Sequence, residues 1–184
     1  MIQKRLVFFT FIFALLSAFY YFYEIKWTEK KKETLDKSKK LFKFKAEDVE
    51  GLRIKNSKIT LIFKKKQEDW FIIEPVRAKG NKADIESIIN ALVSERWMRE
   101  LTLEEGKSAD FGLAQPAIFI AMKGKNLGKE RTIQLGSKSP TGNFLYVRID
   151  QEPRILMVHS WLKNIVHKSI NELTKSNLVS QREY

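Results

Sequence analysis

KITLIFKKKQEDWFIIEP, residues 58–75, is the stretch that decides the fold. Ile59, Leu61 and Phe63 alternate with Thr60 and Ile62, the period of a strand with one buried face. Lys65 to Asp69 reads as a polar turn. Trp70 to Ile73 resumes the extended run. Pro75 has no N–H to give a ladder and ends it. Two such runs joined by a short polar turn predict an antiparallel hairpin. Upstream, Val49 to Ile54 is a third strand, interrupted by Gly51 and joined across an Asn56-Ser57 turn. The stretch therefore sits in a three-stranded meander, at the start of a folded domain that begins near Leu41.

Downstream the period changes. Asn81 is a good N-cap, with Asp84 three residues later. Ile85, Ile88, Ile89, Leu92 and Val93 then recur at helical spacing to about Ser94, a stripe that would cover the meander's inner face. Trp97 to Leu103 alternates as a strand. Glu104 to Pro116 is a connection. Ala117 to Lys123, Glu130 to Leu135, Phe144 to Ile149 and Arg154 to Val158 are four more strands. Gly124–Lys129 and Gly136–Asn143 are the loops between the first three. Ser160 opens a last helix with Leu162, Ile165, Val166, Ile170 and Leu173 on one side. The expected fold is α+β: a mainly antiparallel sheet with two amphipathic helices. Residues 49–101 and 117–173 share the order strands-then-helix and read as two degenerate halves by pattern alone.

The amino terminus is of another kind. Leu6 to Tyr23 (LVFFTFIFALLSAFYYFY) carries no charge and no proline. As a helix it spans roughly 27 Å, close to a hydrocarbon core of about 30 Å. Leu6, Phe9, Phe13 and Leu16 are its apolar body. Tyr20 and Tyr23 close its far end, where amphipathic aromatics favour the headgroup level. We read residues 1–23 as an uncleaved signal anchor. A cleaved signal peptide competes, but its best site, Leu16-Ser17-Ala18, puts a bulky leucine where a small residue is wanted. Residues 24–40 form a charged stalk, and Lys30, Lys31 and Lys32 are candidate contacts with anionic headgroups. The domain then runs over 41–178, with a frayed tail at 179–184. Lysines after the helix outnumber Lys4 and Arg5 before it, which by the positive-inside rule would hold the domain in the cytoplasm. Long domains translocate largely regardless of charge, so the signal-anchor form leads us to expect an extracytoplasmic domain.

Chemistry is sparse. The net charge is +12 and there is no cysteine, which excludes disulfides, thiolate metal sites and a lipoprotein anchor. His159 and His167 are too far apart in sequence for a tight metal face. Gly106-Lys107-Ser108 lacks the glycine five positions earlier that a phosphate-binding loop requires. Lys64, Lys65 and Lys66 lie beside Trp70, a pattern that binds phosphate and stacks a base when the ring is exposed. Trp70 is expected to be buried in the sheet, so no nucleic-acid partner is expected. No catalytic, cofactor or metal residue is expected either.

Several pieces occur in a recognisable order: Trp70 through Pro75 (WFIIEP), the Ala83-Asp84 helix start, Phe111-Gly112-Leu113 followed by Pro116, Ile133 through Gly136 (IQLG), and Tyr146-Val147-Arg148. Together they resemble the bacterial domain-of-unknown-function 4340 family over about residues 41–178. Phe111 stands where that family usually has tyrosine, which removes a hydroxyl. The resemblance implies a single amino-terminal anchor in the bacterial inner membrane and a setting beside ABC-type exporter permeases and gliding-motility-type auxiliary proteins. It supplies no catalytic residues. On this reading Trp70, Pro75, Phe111, Gly112, Leu113 and Pro116 are structural. The expected function is a non-enzymatic accessory or scaffold domain with membrane-protein partners such as a permease. A basic module for anionic lipid or acidic envelope polymer is the alternative.

Overall fold

The computed structural model describes residues 2–25, 38–102 and 107–167. The chain separates into two compact units, Met1–Lys39 and Lys40–Tyr184. In the first, helix α1 (Ile2–Tyr20) passes into a π-helical turn, Tyr21–Ile25. Within it, Leu6–Tyr23 is long and apolar enough to cross a membrane, and none of that window is buried. Leu6, Phe9, Phe13, Leu16, Tyr20 and Tyr23 are all exposed. A helix apolar on every side, with none of that window buried among the described residues, suits a lipid or protein surround. Lys30, Lys31 and Lys32 lie outside the described residues.

The second unit is a nine-stranded antiparallel sheet: β1 (Gly51–Asn56), β2 (Thr60–Lys66), β3 (Asp69–Glu74), β4 (Ala78–Lys79), β5 (Arg99–Thr102), β6 (Ile118–Lys123), β7 (Arg131–Lys138), β8 (Phe144–Ile149) and β9 (Arg154–His159). Helix α2 (Lys82–Ser94) lies between β4 and β5, and the chain is helical again, as α3, over 161–167. The strand order is β4-β3-β2-β1-β6-β7-β8-β9-β5. The two halves anticipated from pattern are thus two meanders joined back to back. Their first strands, β1 and β6, pair antiparallel from Gly51↔Lys123 to Asn56↔Ile118. Each meander runs outward from that seam. β5, which follows α2, crosses to the far edge and pairs with β9.

Strand alternation puts one set of side chains on a common face. Leu61, Ile54, Ile120, Ile133 and Ile149 form a row across five strands, and all are buried. Ile85, Ile88, Ile89 and Leu92 of α2, with Leu162 and Val166 of α3, belong to the same core. Each buried aliphatic side chain contributes about 1.5–3 kcal/mol, so a slip of one residue in any strand would lose its whole set. The Asn81 cap holds: its Oδ1 accepts from Ala83 N at 3.0 Å and from Asp84 N at 3.5 Å.

Some boundaries differ from the sequence reading. β1 starts at Gly51 and runs to Asn56, because Val49 is drawn into the core at the end of a short 3₁₀ turn, Ala46–Asp48. β7 continues through Gly136 and Ser137 to Lys138, residues expected in a loop. Its register shifts between Leu135 and Lys138, and Ser137 N donates to Phe111 O at 2.8 Å, a bond made outside the ladder. The two-residue edge strand β4 was not anticipated. Ile170, Leu173 and the tail at 179–184 lie outside the described residues.

Candidate functional site

The sheet has a second face, and its two halves are treated differently. Over β7 and β8 it is covered by the connection before β6. Phe111 packs edge-on against Tyr146, with ring centroids 4.8 Å apart. Leu113 is buried, and its carbonyl accepts from Arg148 Nη2 at 3.4 Å. Arg148 is itself held by Gln134, whose Oε1 accepts from Nη2 at 2.7 Å and from Nε at 2.9 Å. Gly112 has φ +67, the left-handed region that favours glycine, and a Cβ there would lie 2.8 Å from Ser137 N. Gly136 carries no side chain because the covering backbone needs the space: a Cβ would lie 2.2 Å from Phe111 O. The motif residues Phe111, Gly112 and Leu113 are thus gathered with Gly136, Tyr146 and Arg148 into one latch. Pro116 is half-buried two residues before β6. Trp70 and Pro75 are not part of the latch. Trp70 is 1 % exposed within the core and presents no ring face to solvent. Pro75 follows β3 through a cis Glu74–Pro75 bond.

Over the first half, the same face holds a groove of about 590 Å³. Ile62, Ile73 and Ala121 give it apolar walls. Ile62, Arg53 and Ala121 form one cross-strand row, and Lys64, Gly51 and Lys123 the next. Gly51 leaves the middle of that second row without a side chain. Arg53, Lys64, Lys123 and Lys125 line the groove against only Glu50 and Glu130. Sequence reading placed Ile62 on the opposite face from Phe63 but read Gly51 only as an interruption. The groove was missed because its floor is built by absence of bulk, on strands far apart in the chain.

Glu130 organises the charges. Its Oε1 takes Arg53 Nη2 at 2.5 Å and its Oε2 takes Lys123 Nζ at 2.9 Å. The hydrogen bond from Lys123 is the main reason its carboxyl titrates below the usual glutamate range; partial burial opposes this and the Arg53 charge adds to it. Lys125 pairs with Glu50 at 3.3 Å, whereas Lys64 has no ion-pair partner among the described residues. A depressed folded pKa gives stability that is present above the unfolded carboxylate range and lost as pH falls through the folded value. Glu130→Gln is expected to lower stability by up to about 1 kcal/mol at pH 7. The difference should shrink toward zero below about pH 4. Urea melts at several pH values measure it, and an equal loss at pH 3 and pH 7 would assign the effect to shape instead of charge.

His159 has a structural part. Glu95, buried at the end of α2, has its Oε1 3.0 Å from His159 Nδ1 and accepts from His159 N at 3.2 Å. Among the described residues no three His, Asp or Glu side chains gather to hold a metal ion.

Fold and site together define a class: an α+β domain of two back-to-back meanders, one half latched by its own connection and the other left grooved, in a chain that also carries one apolar helix of membrane-spanning length. The chain belongs to the family Domain of unknown function (DUF4340), which it matches over residues 70–183. The match takes in α2, the latch and the whole second meander. No curated protein and no solved structure matches the chain.

Proposed function

We propose that the chain is a non-enzymatic accessory or scaffold domain of a transporter-associated complex in the bacterial envelope. Leu6–Tyr23 anchors it in the inner membrane as a single span, and the folded unit lies outside the cytoplasm. The observation that carries this reading is the anchor helix: it is apolar on all sides, and none of its Leu6–Tyr23 window is buried among the described residues. A helix of this composition is available to lipid and to the helices of a membrane partner. The groove supports the second part of the reading, because it offers shape and charge for recognition. Alkaline phosphatase and a cytoplasmic reporter, each fused after Tyr184, test the orientation. Phosphatase activity is the expected result, and activity of the cytoplasmic reporter alone would overturn the topology.

The positive charge favours a second reading, a binding module for anionic lipid or acidic envelope polymer. Its mark would be strong, salt-sensitive binding of the full chain to anionic liposomes in the absence of any protein partner.

A further inference from the structure

We propose that the grooved face of β3, β2, β1 and β6 is a docking strip for a segment of a partner protein, apolar along one side and flanked by acidic residues. This deepens the scaffold reading and rests on it.

Two observations carry the proposal. The first is Gly51. It is the first residue of β1 and is paired on both sides, with Lys64 and Lys123, and a glycine within a ladder commonly marks a place where another backbone approaches closely. Nothing among the described residues requires it there. A Cβ would meet only Lys123 Cβ at 3.6 Å and Phe63 O at 3.8 Å, both ordinary contacts, and its φ is not positive. The other half of the sheet displays what such a glycine is good for. At Gly136 the missing side chain lets the backbone of residues 111–113 lie against the strand, with Leu113 buried beside it. The internal latch shows the principle: a turn, closed by Gly112 N to Ala109 O at 2.9 Å and Leu113 N to Ser108 O at 2.9 Å, places an apolar side chain on the sheet while its backbone lies against a glycine. Gly51 provides the same opening over the first half.

The second observation is charge. Four cations and two carboxylates line the groove. Arg53 and Lys123 share the one carboxylate of Glu130, and Lys64 has no ion-pair partner among the described residues. An incoming carboxylate near Lys64 or Lys123 would complete these pairs, and a basic segment would be repelled. An acyl chain would use Ile62, Ile73 and Ala121 but has no need of a glycine opening for a backbone.

Fluorescence anisotropy with the full-length chain in detergent micelles tests this. The probes are two labelled peptides with the same apolar residues, alternating with glutamate in one and with lysine in the other. Saturable binding of the glutamate peptide alone is expected. Gly51→Leu, which fills the opening, should weaken it by at least roughly tenfold, equivalent to about 1.4 kcal/mol. Its melting temperature should stay unchanged. Should that variant fail to fold, Ile73→Glu provides the same test from the groove wall. The pair Lys64→Glu and Lys123→Glu should weaken the glutamate peptide and admit the lysine one. Equal binding of both peptides by the wild-type chain, or wild-type affinity in folded Gly51→Leu, would overturn the proposal. So would a dimer in analytical ultracentrifugation that Gly51→Leu dissolves, which would make a second copy the occupant. Displacement of the peptide by phosphatidylglycerol vesicles but not by phosphatidylcholine vesicles would assign the groove to lipid instead. A chain that fails here yet co-purifies with a permease loses the docking strip and keeps the scaffold role.

Discussion

Phe13→Arg combined with Leu16→Arg is expected to move the chain from the membrane fraction to the soluble fraction. Both residues lie near the middle of Leu6–Tyr23, where an arginine costs about 2.5–3.5 kcal/mol of insertion free energy. Together they remove about 6 kcal/mol, on the order of a 10⁴-fold change in partition. The folded unit should be unaffected, because its core is built from its own residues. Carbonate extraction followed by immunoblotting measures the partition, and circular dichroism of the released chain checks the sheet. Retention of the double variant in the membrane pellet would show that something other than this helix holds the protein there.

The second large effect is expected at the latch. Gly136→Val places a side chain where Phe111 O now stands, 2.2 Å from the ideal Cβ position. The strand cannot yield without disturbing the β7 ladder, so the covering segment must lift. That forfeits the burial of Leu113, the bond from Ser137 N to Phe111 O and the bond from Arg148 to the Leu113 carbonyl. We expect a loss of about 3 kcal/mol, a fall in melting temperature of roughly 6–12 °C for a domain of this size. Gly112→Val should act in the same direction by several degrees, through its left-handed backbone and the approach to Ser137. Gly51→Leu is the internal control, since its space is open. If all three variants melt with the wild type, the latch does not hold the second half together.

Much of this architecture was legible in the residues. Alternation in Thr60–Lys66 and Asp69–Glu74, and the helical stripe from Ile85 to Val93, were strong local signals with one burial solution each. The Asn81 cap was readable because capping needs only residues a few positions apart. The seam between β1 and β6 was not readable, because pairing across some seventy residues leaves no local periodic mark. β7 was cut short for a chemical reason: Gly136-Ser137-Lys138 has turn-like composition, and its extended form depends on the segment from Phe111 lying across it. The family motifs gave the positions of Phe111, Gly112 and Leu113. Their common purpose as a latch with Tyr146 and Arg148 emerged only when the sheet brought them together. The groove left the faintest trace, since Gly51 and Ala121 contribute by being small.

The central claim is that the chain serves a membrane complex by anchoring and by binding. Purification of the full-length protein from its native membrane in mild detergent, with quantitative mass spectrometry of the product, tests it most directly. A transporter permease or its ATPase present in stoichiometric amount is the result we predict, lost in the Phe13→Arg and Leu16→Arg variant. A pure monomer that binds anionic liposomes tightly at low salt would contradict the claim and leave the lipid-binding reading in its place.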